Sequence, residues 1–144
     1  MRLTDDHVRF LNEQRVAHLA TVDDAGVPSI VPICFACAGG ALYTAIDEKP
    51  KRVSPGELRR VRNILEHPDV CVIADRYDED WSLLAWLQLH GRASIVSDAD
   101  ERSTAFSALR ERYPQYRAMD LESRPLIRVT PERIVVWRAA LSTD

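Results

Sequence analysis

Six basic side chains, Lys49, Lys51, Arg52, Arg59, Arg60 and Arg62, crowd into residues 48–63 of a chain whose formal net charge is −3. A basic stretch on an acidic protein suits a small, discrete anion better than bulk nucleic acid or an anionic membrane. The stretch straddles a loop and the start of a helix, where backbone N–H groups without intrahelical partners add to the side-chain charge. Such a combination can recognise phosphate or carboxylate. The competing structural account is a solvated helix face, its arginines paired with Glu57 and Glu66.

Other reactive residue types offer less. Cys34 and Cys37 form a C-x-x-C, but residues three apart on a strand face opposite ways, and no second ligand pair lies near. They and Cys71, which sits inside an apolar run, read as core cysteines. His7, His18, His67 and His90 share no ligand spacing, so metal binding is not expected. His90 stands out only because it shares a polar strand face with Gln88. No nucleophile elbow, phosphate-binding glycine loop or spaced carboxylate pair appears, which leaves nucleophilic and two-carboxylate mechanisms without support. Trp81 and Trp86, on either side of a loop-to-strand junction, suit core or interface packing and suit equally a platform for a planar ligand.

The elements that must position these groups fit one domain over residues 1–144, with 46% hydrophobic and 28% charged residues. A first helix follows Thr4 or Asp5, with Val8, Leu11 and Phe10 facing inward. Strands are expected over 15–22, 27–37 and 41–46, with turns at "DDAG" and "AGG". Pro28 and Pro32 cannot donate to a ladder, which pushes their strand to a sheet edge or a ligand-facing position. A helix in "PGELRRVRNILEHP" buries Leu58, Val61 and Ile64 or Leu65, started by Pro55 and stopped by Pro68. A buried strand covers 69–77. A long strand covers 83–97, with Ala85, Leu87, Leu89, Gly91, Ala93 and Ile95 on one face and Trp86, Gln88, His90, Arg92 and Ser94 on the other. A capping box at Ser97 opens a helix ended by Pro114. One strand, or a pair, closes the chain in "PLIRVTPERIVVWRAAL". Mainly β content with few helices and hairpin-linked strands predicts a small antiparallel barrel. The opening "MRLTDDHVRFLNEQ" has no apolar signal core, no stretch is long enough to span a membrane, and three cysteines suit a reducing cytoplasmic location.

The stretches "LNEQRVAHLATVDDAGVPSIVPICFA", "ALYTAIDEKPKR", "LRRVRNILEHPDVCVIADRY" and "WSLLAWLQLHGRASIV" succeed one another over most of residues 10–97. In that order they resemble the FMN-binding split-barrel proteins related to pyridoxamine 5′-phosphate oxidase. Within them the resemblance is to the deazaflavin-dependent branch that uses coenzyme F420. It implies a six- to seven-stranded antiparallel split β-barrel and a homodimer with two cofactor sites at its interface. It places the cofactor ring against Val31, Pro32 and Ile33, with Thr44, Ala45 and Ile46 lining the ring or tail. Lys51, Arg60 and Asn63 are implied to hold the anionic part, and Trp86 and Gln88 to approach from the partner subunit. The activity implied is hydride transfer to or from a small conjugated organic substrate.

One departure sets the cofactor expectation. FMN-using oxidases of the family carry an Arg on the second strand and a Ser-x-Lys after the third. Here the second strand reads "PSIVPICFA" and "DEKPKR" follows the third. That favours coenzyme F420, with its phosphodiester and carboxylate tail, over FMN. An FMN-dependent oxidoreductase and a non-catalytic flavin or deazaflavin binder are the alternatives. A haem-handling barrel would need His90 or His67 free as an axial ligand.

Overall fold

The computed structural model describes residues 1–47 and 58–139. Helix α1 (Asp5–Asn12) is followed by β1 (Ala17–Val22), β2 (Pro28–Ile33), β3 (Ala36–Ala38) and β4 (Ala41–Ala45). Then come α2 (Arg59–Glu66), β5 (Asp69–Arg76), β6 (Ala85–Ile95), α3 (Ala99–Arg112) and β7 (Leu126–Arg138). The strands form one seven-stranded antiparallel sheet, ordered β2-β1-β5-β6-β7-β4-β3, that curls into a half-barrel with flanking helices. The mainly β split barrel expected from the sequence is the fold observed. As the two prolines require, β2 lies at a sheet edge.

Alternation fixes which face is inside. Along β6, Ala85, Leu87, Leu89, Gly91 and Ala93 are buried while Trp86, Gln88 and His90 are half-exposed. The buried set joins Leu11, Leu19, Phe35, Leu42 and Val72 in the barrel interior. A second cluster, with Tyr43, Phe106, Leu109, Tyr113 and Leu126, lies beneath α3. Every residue of β4 is buried, because the barrel interior covers one of its faces and the cluster beneath α3 the other.

Two sequence expectations need correction, and one alternative is decided. Residues 27–37 are not one strand: β2 ends at Ile33, and β3 pairs with β4 instead. At the break, Phe35 N–H donates to the Tyr113 hydroxyl (3.0 Å) and its carbonyl accepts from Arg112 Nε (2.8 Å). Groups next to α3 thus satisfy the backbone where the ladder stops. The α3 cap is Asp98, not Ser97; its side chain accepts from Glu101 N–H at 2.9 Å. The Glu101 carboxylate is drawn away to the Tyr43 hydroxyl (2.6 Å) and Arg128 Nη1 (2.6 Å), so no reciprocal box closes. The closing segment is a single strand despite Pro131. Gly91 pairs with Pro131 while His90 pairs with Arg133, leaving Glu132 as the extra residue of a bulge, where a strand proline is tolerated. Thr4 caps α1 in a reciprocal pair with His7, which accounts for that histidine.

Candidate functional site

The end of β2, the strand β4, the start of α2 and the 3-10 turn Pro114–Ala118 enclose a cavity of ≈ 80 Å³. Pro32, Ile33 and Cys34 form one wall and Thr44 and Ala45 another; Asp47, Arg60 and Tyr116 close the polar end. The Thr44 hydroxyl donates to the Cys34 carbonyl at 2.7 Å, stitching the two strand walls together. The pyrrolidine of Pro32, on an edge strand, leaves no N–H at the rim to compete for a ligand.

Arg60 carries the electrostatics. Its Nε is buried and has no hydrogen-bond partner. Burial holds its guanidinium below the ordinary arginine value in spite of the attraction of Asp47 and Tyr116. The half-buried cation is therefore partly desolvated beside a cavity that would admit an anion. Among the described residues, Leu58 gives α2 no side-chain cap, and no acidic residue stands in its first turn. The positive end of the helix thus adds to Arg60. Across the cavity, the buried Tyr116 hydroxyl donates to Asp47 Oδ2 at 3.4 Å. Burial above all, then Cys34 and Asp47, pushes the Tyr116 phenol far up, so it remains a neutral donor. An unpartnered buried guanidinium nitrogen fits the anionic part of a flavin-type cofactor.

Larger depressions are less telling. A cleft of ≈ 400 Å³ along α3 is lined by Arg102 and Arg110, but both are engaged. Arg102 donates to the carbonyls of Val96, Glu122 and Arg124, and Arg110 pairs with the Glu122 carboxylate. The other unpartnered buried nitrogen among the described residues, Arg128 Nε, belongs to a guanidinium already held by Glu101.

Of the residues expected at the site, Pro32, Ile33, Thr44, Ala45 and Arg60 come together at this cavity. Val31 packs against the barrel core, and Ile46 is fully buried within it. Asn63 was expected off the buried stripe of its helix, yet it is buried and donates to the Thr21 hydroxyl at 2.9 Å. It ties α2 to β1 rather than facing the cavity. Lys51, with Lys49 and Arg52, lies outside the described residues. Trp86 and Gln88 lie on the outer sheet face, where Trp86 stacks on Trp137 (centroids 6.4 Å apart) and Gln88 lies 3.0 Å from His90 Nε2. Arg133 also donates to that nitrogen (3.0 Å), and His67 Nε2 is 2.9 Å from Asp24, so neither histidine presents a free Nε2 to a haem iron. The Cys37 thiol, packed against the barrel core, is pushed up to about 11 by burial, as expected of an unreactive core cysteine; Cys71, expected in the core, instead lies half-exposed on the outer sheet face opposite His90.

Three cavity residues escaped the sequence reading. Asp47 stands one position beyond the strand end that had been singled out, Cys34 had been read only as core, and Tyr116 lies 69 residues from its partner Asp47. Only the first had a local signal, a carboxylate opening a basic loop.

A family model described as pyridoxamine 5′-phosphate oxidase matches residues 3–138. No curated protein matches the chain. Among solved structures, a conserved hypothetical protein of Mycobacterium tuberculosis is similar at a TM-score of 0.78 and 18% identity, over 95% of this chain and 86% of that one. HutZ, the haem storage protein of Vibrio cholerae, aligns at a TM-score of 0.71 and 21% identity, over 96% and 95% of the two chains. An FAD-binding protein of Mesorhizobium loti aligns at 0.66 and 20% identity, over 94% and 95%. At these identities the structural likeness is one of fold.

Proposed function

This chain belongs to the pyridoxamine 5′-phosphate oxidase family, and on that premise we propose that it is a deazaflavin-dependent oxidoreductase using coenzyme F420. It would move hydride to or from a small conjugated organic substrate. The observation that carries this reading is the unpartnered, buried Arg60 Nε at the uncapped start of α2, opening into the cavity between β2 and β4. The description of the Mesorhizobium loti neighbour as FAD-binding supports a ligand of flavin type. The missing arginine on β2 supports F420 over FMN. When bound, a deazaflavin supplies the hydride chemistry itself. The chain's part is then to hold the anionic portion at Arg60, to set the ring against Pro32 and Ile33, and to exclude water. No acid–base pair is required of it.

A titration tests this. Full-length F420 is expected to bind most tightly, with its tail-less analogue and FMN well below. FMN that co-purifies in stoichiometric amount and resists displacement would replace the F420 reading with the FMN one. Arg60→Ala is expected to weaken F420 binding several-fold to about tenfold, as for a partly exposed charge-assisted contact. The melting temperature of the free protein should hardly move, because the fold already disfavours that charge. A free protein that melts much lower would make Arg60 a structural residue.

The working unit in this reading is a homodimer. Pro32, His18, Ile73, Gln88 and Val135 lie side by side across five strands, and Ile30, 63% exposed, heads the neighbouring row. With Trp86 and Trp137 they form a half-exposed, largely apolar outer face that reaches the cavity rim at Pro32. A second copy on that face would bring Trp86 and Gln88 towards the ring and bury on the order of 2,000 Å². Sedimentation at micromolar concentration should show a dimer; a monomer that still binds cofactor tightly would overturn the shared site.

A further inference from the structure

We propose that His90 makes the homodimer pH-dependent, an inference that rests on reading the outer sheet face as the dimer interface. The neutral imidazole lets two copies close on that face, and its protonation loosens them. His90 of β6 stands there between its strand partners, Cys71 of β5 and Arg133 of β7. The adjoining row runs from Pro32 through His18, Ile73 and Gln88 to Val135. A second copy covering that row covers His90 as well.

One nitrogen of this imidazole meets two groups with opposite demands. Arg133 Nη2 lies 3.0 Å from Nε2 and can only donate, so it needs the lone pair of a neutral ring. Gln88 Oε1 also lies 3.0 Å from Nε2 and can only accept, so it needs a proton there. Neutral His90, with its proton on Nδ1, serves Arg133. The imidazolium serves Gln88 and turns an N–H towards the guanidinium. A single proton thus converts a hydrogen bond between β6 and β7 into two confronted cations.

The strands around this pair are described along their whole length. Asp69, on the Cys71 side of β5, lies 3.6 Å from Arg92 of β6. Glu132, the bulge residue beside Arg133, is exposed. The Cys71 thiol is held above its ordinary value, chiefly by burial, and stays neutral. His18 of β1, diagonal to Cys71, can only add positive charge in acid. In a single copy, water and salt screen His90 and Arg133 from each other. Under a second copy they would be desolvated a hydrogen-bond length apart, where like charges repel strongly. A symmetric interface contains this arrangement twice, so dissociation takes up two protons and acid favours the monomer. Across the ordinary histidine range, the dimer should weaken about tenfold to a hundredfold between pH 8 and pH 5.5.

Sedimentation equilibrium at these two pH values tests this on the wild-type chain, His90→Gln, Arg133→Gln and His18→Gln. Circular dichroism follows the fold of each. The wild-type dimer should weaken by that factor in acid with its dichroism unchanged. His90→Gln should dimerise alike at both pH values. Arg133→Gln, which removes the confronted cation, should lose most of the dependence, and decides the matter if His90→Gln does not fold. A wild-type dimer equally tight at both pH values overturns the switch and leaves the dimer standing. So does a dependence that vanishes in His18→Gln but persists in His90→Gln. Dissociation accompanied by loss of the folded signal is acid unfolding and overturns the switch too. A monomer at both pH values overturns the dimer reading along with it.

Discussion

Arg112→Ala is expected to lower stability by about 3–4 kcal/mol, which for a domain of this size is roughly 10 °C or more in melting temperature. The side chain stands at the last residue of α3 and reaches two distant segments at once. Its Nε donates to the Phe35 carbonyl (2.8 Å), Nη2 to the Gln14 carbonyl (2.7 Å), and Nη1 to the Asn12 carbonyl (3.3 Å) and side chain (3.2 Å). The guanidinium also lies over the Phe35 ring, 4.8 Å from its centroid. These contacts join α3 to the end of α1 and to the break between β2 and β3, where no ladder bonds serve Phe35. Truncation leaves three carbonyls to find water and strips the cover from a fully buried aromatic ring. Arg112→Lys should recover less than half of the loss, since one ammonium cannot span the fork. Thermal melts of the three proteins decide the matter. A loss below about 1 kcal/mol for the alanine variant would make the network a surface ornament.

That network also marks where the sequence stopped being legible. Strand faces could be read because burial on one side of a strand leaves a two-residue period, and β6 shows it along its buried run. The edge position of β2 could be read because proline chemistry is local. Arg112 could not, since its acceptors lie up to 100 residues away and no spacing encodes them. The same holds for Tyr116 against Asp47. Asn63 misled for a related reason. A helical wheel that counts only apolar residues puts an asparagine outside, and the wheel contains no sign of Thr21 waiting across the interface. Family resemblance compensated in part: five residues it singled out do meet at one cavity, although Asp47, within a quoted stretch, was not singled out, and Tyr116, which gives the cavity its donor, lay outside the motifs.

Gly91→Ala is expected to destabilise by about 3 kcal/mol, the upper end for adding one methyl group, and Gly91→Val should leave little folded protein at 37 °C. Glycine at this position of β6 looks from the sequence like one more small inward residue between Leu89 and Ala93. The structure gives it a stricter reason. A Cβ built there would lie 2.3 Å from the carbonyl oxygen of Thr130 and 3.1 Å from Val129 Cγ1. The first of these is backbone of the neighbouring strand, so no side-chain rotation relieves the clash and β7 itself must move. It cannot move freely, because the β6–β7 ladder runs from Ala85↔Arg138 to Ile95↔Ile127 and the bulge that bends it falls between His90 and Gly91. Strain there would spread to His90 and Arg133, the last pair before the bulge, and through β7 to its partner β4, whose Thr44 and Ala45 line the cavity. Urea denaturation with an unchanged m-value should report the loss as a lower midpoint. Weakened cofactor binding in Gly91→Ala beyond that of an equally destabilised core variant would show that the bulge shapes the site as well as the sheet. A variant as stable as the parent would mean that β7 can shift at Thr130 without cost, and that the close approach at Gly91 is not what holds the bend.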